Sequence, residues 1–314
     1  MSKLAVPEWL FLIVLSAVAG LAELGFVIVN ISSLPMLLEQ GLGLASLPGI
    51  AMAIFYTAEA VGNSPMGALA DRVGRRRMMF LGAMLSVFTS LGTAFIPLKD
   101  VGNGVAIPLL LVMRALDGIG ASMLWPSVFA SIGDRCAPER QTRAMTVLNT
   151  TYLAGIAIGP YCAGLVNDKF GAKFTLAQPE HYNPSFYLAG GCFLLAAVFG
   201  YLVAPGKADT HKRPAGHEAG SAFSIDALKR TWKRIPMVML LGFVIFLAVG
   251  LIGPYVKTYF INRFGLSEST FGKVLLIPAM CIGAVSIPIG HLTDRWGKTT
   301  SIQLGMLLCT ASLW

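Results

Sequence analysis

"PMGALADRVGRR" at residues 65–76 returns as "PIGHLTDRWGKT" at 288–299, with six of the twelve positions identical. The offset of 223 residues also carries Trp9 onto Trp232 and Gly49 onto Gly272. Each copy directly follows an apolar run, and both keep the frame Pro-x-Gly-x-Leu-x-Asp-Arg-x-Gly while the residues between vary. The repeat divides the chain into two related halves.

Composition says what surrounds those halves. Hydrophobic residues make up 55% and charged residues 13% of the 314, and the mean hydropathy is +0.69; a soluble domain carries about 25% charged residues. A helix needs about 20 mostly apolar residues to cross a bilayer. Runs of that kind lie near 9–31, 46–66, 78–97, 106–132, 144–166, 186–204, 237–260 and 271–292. The first has a membrane span's length, contains Glu23 and lacks the basic start and small-residue cleavage site of a signal peptide. A ninth run starts at Ser301 and stops at Trp314, which predicts an N-terminal fragment with its second half truncated. The expected architecture is an all-α integral membrane bundle. Duplicated halves are frequent in secondary transporters, whose binding site lies between them near the midplane.

The net charge of +8 raises the question of nucleic acid, and its distribution answers it. The N-terminus and the loops after runs two, four, six and eight hold 17 of the 24 Lys and Arg residues, the opposite loops and flanks hold 6, and Arg114 lies inside a run. The positive-inside rule then puts the N-terminus and the 67–77 loop in the cytoplasm. Membrane lipid headgroups account for the remaining cations better than nucleic acid does. The long polar stretch 205–235, with Pro205, Gly206, Pro214, Gly216 and Gly220, reads as a cytoplasmic linker between an N-terminal half, 1–204, and a C-terminal half, 236–314. Five cysteines show no CxxC pair or metal-ligand spacing, and no phosphate-binding loop, HExxH, GxSxG or EF-hand pattern occurs. No enzyme, metal or cofactor is expected, and a proton gradient is the expected driving force.

Charges within apolar runs are the strongest functional signal, because each costs about 2.5–3.5 kcal/mol at a helix centre on insertion scales. Four qualify: Glu23, Glu59, Arg114 and Asp117. Glu23 shares a helical face with Phe26, Val27 and Asn30, while Arg114, Asp117, Ala121 and Trp125 form another at spacings of three and four. Arg114 with Asp117 also reads as a static ion pair, and Glu59 as a peripheral carboxyl near an interface. Trp125, Tyr152, Tyr255 and Tyr259 offer faces for a flat or cationic substrate, or serve as packing and interface anchors. Gly155, Gly159, Pro160 and Gly164 place small residues and a helix-bending proline along the fifth run.

Together these motifs resemble the major facilitator superfamily over nearly the whole chain. "GALADRVGRRR" (67–77) is similar to that family's loop motif between spans two and three, and "GHLTDRWGK" (290–298) to its weaker echo between spans eight and nine. "RALDGIG" (114–120) is similar to the fourth-span Arg-x-x-x-Gly-x-Gly pattern, with Asp117 where the family often has Gln. "GIAIGPYCAG" (155–164) is similar to the fifth-span pattern of drug/proton antiporters, with Ala163 replacing one glycine, and "LGFVIVNISSLP" (24–35) resembles their first-span signature loosely.

The resemblance implies two six-helix repeats around a central cavity, lined by the first and fourth spans, so that the faces of Glu23 and Arg114 oppose one another. It assigns Gly67, Asp71, Arg72, Gly74 and Arg75, with Gly290, Asp294, Arg295 and Gly297, to a gate. In that gate Gly67 permits close helix approach, Gly74 a tight turn, and Asp71 makes charge contacts broken in one state. The basic residues of this loop also read as an orientation anchor. Proton coupling falls to Glu23 or Asp117, with Arg114 and Glu59 nearby, and the cavity to Phe26, Asn30, Trp125, Tyr152 and Tyr255. The resulting expectation is a monomeric proton-coupled exporter of small hydrophobic or cationic compounds in the plasma or inner membrane. Two alternatives stand beside it: an uptake carrier for a metabolite or organic anion, to which Lys257 hints, and a non-transporting truncated membrane protein.

Overall fold

The computed structural model describes residues 7–96, 103–203, 236–278, 280–281 and 298–311. Among them every regular element is helical. Helix α1 (Glu8–Val27) continues through π-helical turns at Ile28–Ser33 and Leu37–Gly41. It is followed by α2 (Leu47–Val73), α3 (Arg75–Phe95), α4 (Asn103–Arg135), α5 (Pro138–Phe170), a 3-10 turn (Pro179–Tyr182), α6 (Asn183–Val203) and α7 (Pro236–Phe264). An eighth helix, α8, covers 268–278, and α9 covers Lys298–Ala311.

The apolar runs therefore became helices in the expected order, most of them longer at their ends. The largest difference is α1, expected to end near 31 and helical to Gly41. Pro35 has no N–H to offer its preceding turn, and the two π-helical turns flank it, letting the rod pass through without a break. Pro48 and Pro138 stand in the first turns of α2 and α5, where the missing N–H would be unpaired anyway. Gly74, at φ +107, turns α2 into α3 with no intervening loop. The linker 205–235 and the repeat copy at 288–297 lie outside the described residues.

In the N-terminal half α1 packs on α5 and α6, α2 on α4, and α3 on both α4 and α6. Phe11, Leu15, Phe186 and Phe193 are buried between them, while Phe88, Val112, Leu195 and Leu202 face outward. Four of the described segments are long and apolar enough to cross a membrane by length and composition: Glu8–Gly41, Arg75–Phe95, Gly104–Arg135 and Pro179–Leu202.

The fifth helix meets both halves through its small residues. A Cβ at Gly155 would stand 2.8 Å from the Gly20 carbonyl oxygen and 3.1 Å from Glu23 Cβ, and one at Gly164 would collide with the Glu268 backbone. Gly67 differs from expectation: a Cβ there meets Pro126 at 3.7 Å, an ordinary contact, so close helix approach does not require glycine at that position.

Replacing Gly155 by Ala should lower the melting temperature in detergent, with overpacking costing about 1–3 kcal/mol. Gly133→Ala meets open space and should hold or raise it, since Ala favours a helix by about 1 kcal/mol over Gly.

Candidate functional site

Halfway along the first two helices, α1 presents Glu23 and α2 presents Glu59, within electrostatic range of one another. Glu23 is 8% exposed and Glu59 is half-buried. The Tyr152 hydroxyl of α5 faces the Glu23 carboxyl as a hydrogen-bond donor, and Tyr56 of α2 lies near both carboxyls. Among the described residues neither carboxyl has a cationic partner. Aromatic rings enclose this corner. Phe26 sits 5.7 Å from Phe55, 6.3 Å from Trp125 and 4.8 Å from Phe193, and Trp125 meets Tyr152 edge-on at 5.3 Å.

Arg114 and Asp117 are arranged otherwise. They are 0% and 1% exposed, and they form an ion pair of 3.2 Å wedged between α4, α3 and the first π-helical turn of α1. Arg114 also donates to Thr93 Oγ1 at 2.9 Å and to Asn30 Oδ1 at 3.4 Å, and Thr89 donates to Asp117 Oδ1 at 3.0 Å. Of the face expected to oppose Glu23, Trp125 meets Phe26 of α1, whereas Arg114 and Asp117 form the buried ion pair of the alternative reading. Two charges that cannot reach water must find each other and nearby hydroxyls, and the threonines of α3 supply those. The expectation for Asn30 is corrected, since its side-chain oxygen accepts from Arg114. Tyr255 packs beside the start of α2, where a Cβ at Gly49 would lie 2.9 Å from its hydroxyl. Tyr259 is exposed, against Phe260.

At the α2–α3 turn, Arg75 is buried and bridges two carboxylates: Asp71 at 2.6 Å and Asp134, at the end of α4, at 3.0 Å. This ties α2, α3 and α4 of one half together, a role the sequence did not assign to Asp134. Arg72 is exposed. Gly290, Asp294, Arg295 and Gly297 lie outside the described residues.

A third group of charges, which the sequence did not join, lies at the opposite end. Lys257 of α7 bonds to Glu268, at the start of α8, and to Ser32 Oγ at 2.8 Å on the π-helical turn of α1. Glu268 also receives Asn167 of α5 at 3.3 Å and faces His181 at 3.2 Å. Lys257, Glu268 and His181 are all buried, so Lys257 is a satisfied cation rather than a free one awaiting an anion. Further hydrogen bonds join the two halves at this end, Gln40 to Asn262 at 2.9 Å, Ser269 N to Asp168 at 3.0 Å and Thr258 to the Met36 sulfur at 3.4 Å.

The sequence model of the Major Facilitator Superfamily matches residues 10–314. The chain belongs to that superfamily. Membership makes it a multi-pass membrane protein of a transporter family, not an enzyme family. It is similar to multidrug resistance protein 2 of Bacillus subtilis (strain 168), 22% identical over 268 residues, covering 83% of this chain and 62% of that one. It is also similar to the multi-drug resistance efflux pump PmrA of Streptococcus pneumoniae serotype 4, 28% identical over 169 residues, covering 52% of this chain and 38% of the pump. The chain thus spans less than two thirds of the length of these relatives. A crystal structure of a D-xylose-proton symporter shares the fold with a TM-score of 0.59 at 18% identity, covering 92% of this chain and 69% of that one.

Two substitutions separate the charge groups. Asp117→Asn strands the Arg114 guanidinium in an apolar bundle and should cost about 3–5 kcal/mol of stability. Glu23→Gln removes a charge that has no cation beside it and should leave the melting temperature in detergent unchanged or higher. Equal losses for the two would contradict the division made here.

Proposed function

We propose that this chain carries the proton and substrate sites of a proton-coupled exporter of small hydrophobic or cationic compounds, working by alternating access. The observation that carries the reading is the pair Glu23 and Glu59, two carboxyls halfway along the bundle with no cation beside them among the described residues. An ionised carboxylate in such a place needs a counter-charge. Two species can supply it, a proton or a cationic substrate, and each excludes the other. Competition of that kind is the basis of antiport.

The surroundings fit the substrate class. Phe26, Phe55, Tyr56, Trp125 and Tyr152 offer ring faces, each able to attract a cation by about 0.5–2 kcal/mol. The Tyr152 hydroxyl can follow the charge on Glu23, donating when the carboxyl is ionised. Asp117 is a poorer exchange site, because its carboxylate is already held by Arg114 and Thr89. We therefore assign the coupling proton to Glu23, with Glu59 as its neighbour. The relatives named for multidrug resistance and efflux, and the glycine-proline run on α5, favour export. With the N-terminus and the 67–77 loop in the cytoplasm, the Lys257–Glu268 group closes the outer end.

Everted membrane vesicles carrying the protein, given a series of lipophilic cations, provide the test. Addition of a substrate should release protons from the vesicle lumen, and Glu23→Gln should abolish that flux at equal protein level. No flux with any compound, or full flux in Glu23→Gln, would overturn the assignment.

A further inference from the structure

We propose that His181 is a second proton-binding site, separate from Glu23 and Glu59, which loads when the outer end closes and so makes that closure sensitive to external pH. The proposal rests on the alternating-access reading alone and is indifferent to the direction of transport.

The 3-10 turn before α6 holds the His181 ring, 5% exposed, between acceptors on both sides. Nδ1 lies 3.0 Å from the Gly171 carbonyl oxygen and 3.2 Å from that of Phe174. Nε2 lies 3.2 Å from Glu268 Oε1. Carbonyl oxygens only accept, and so does an ionised carboxylate, whereas a neutral imidazole has a single N–H. The other carboxylate oxygen, Oε2, faces the Lys257 ammonium and the Asn167 amide, both donors. The line between Nε2 and Oε1 must therefore hold a proton of its own. The closed arrangement thus contains one proton more than a neutral histidine beside an ionised glutamate.

Its electrostatic setting supports that count. Glu268 from α8 faces His181, Lys257 from α7 holds the other oxygen of Glu268, Glu180 and Tyr182 adjoin on the same turn, and Asp168 at the end of α5 accepts from the Ser269 N–H beside Glu268. Lys257 and the imidazolium stand on the two oxygens of the Glu268 carboxylate.

His181 and Glu268 belong to opposite halves. When the halves part at this end, the imidazole loses its carboxylate and meets water as an ordinary imidazole, for which the reference value is about 6.5. The proton then binds the closed form more tightly than the open one. It stabilises closure fully below about pH 6.5, and this support fades as the pH rises above that value. The proton enters from and returns to the outer side, so it senses pH without being carried across.

Spin labels at Ala45→Cys and Arg263→Cys, both exposed at the outer end, would report opening as a distance distribution. The intact protein would be reconstituted in liposomes, with its native cysteines replaced by serine. The closed-to-open ratio should rise by up to about tenfold per pH unit as the pH falls from 8 towards 6.5, the slope of one proton. His181→Gln should flatten that slope. A wild-type ratio unchanged from pH 5.5 to 8 would overturn the proposal, and so would a His181→Gln variant that keeps the wild-type slope. The wild-type measurement decides on its own if the variant does not fold.

Discussion

A charge inside an apolar bundle must be matched, and the way each one is matched orders this molecule. Arg114 and Asp117 match one another within one half, supported by Thr89, Thr93 and Asn30. Lys257 and Glu268 pair within the other half, and Ser32, Asn167 and His181 from the first half complete their shell, so that this group spans the division. Glu23 and Glu59 have no cation beside them among the described residues, and Glu23 faces only the Tyr152 hydroxyl. The first arrangement holds a half together, the second ties the halves at one end, and the third has no fixed counter-charge among the described residues.

These groups share a scaffold. The π-helical turn at Ile28–Ser33 sends Asn30 to Arg114 and Ser32 to Lys257, so one local irregularity serves two of the three charge groups. The fifth helix does the same on the other side. Gly155 lets its backbone come against Glu23's own turn, Tyr152 faces that carboxyl, and Gly164 with Asn167 meets the start of α8. A change in contact between α5 and α8 is thus close to the Glu23 site, a few turns away along one continuous helix.

Much of the fold was legible because its signals are local. Apolar run length marked the described helices, while the linker and the second copy of the repeat lie outside the described residues. Glu23, Glu59, Arg114 and Asp117 stood out because a charge in an apolar run is conspicuous. What the run could not convey was which charges meet. Thr89 and Thr93 look like ordinary span residues, and their role exists only because α3 packs against Arg114. Glu268 sits in a polar stretch, "LSEST", where an acid carries no signal, and only the packing of α8 against α5 buries it beside Lys257. The same limit misplaced Asn30, which helical spacing puts near Glu23 and the π-helical turn directs to Arg114. Gly74 was readable because a turn without a loop demands a positive φ, whereas the reading of Gly67 required a neighbour that is not that close.

The central claim is that a proton and a substrate cation compete for Glu23. The most direct measurement is the number of protons released to a weakly buffered detergent solution when a lipophilic cation such as tetraphenylphosphonium binds the purified protein, read with a pH indicator. The account predicts close to one proton released per cation bound near neutral pH, and none from Glu23→Gln. Saturable binding with no proton release from the unsubstituted protein would contradict it.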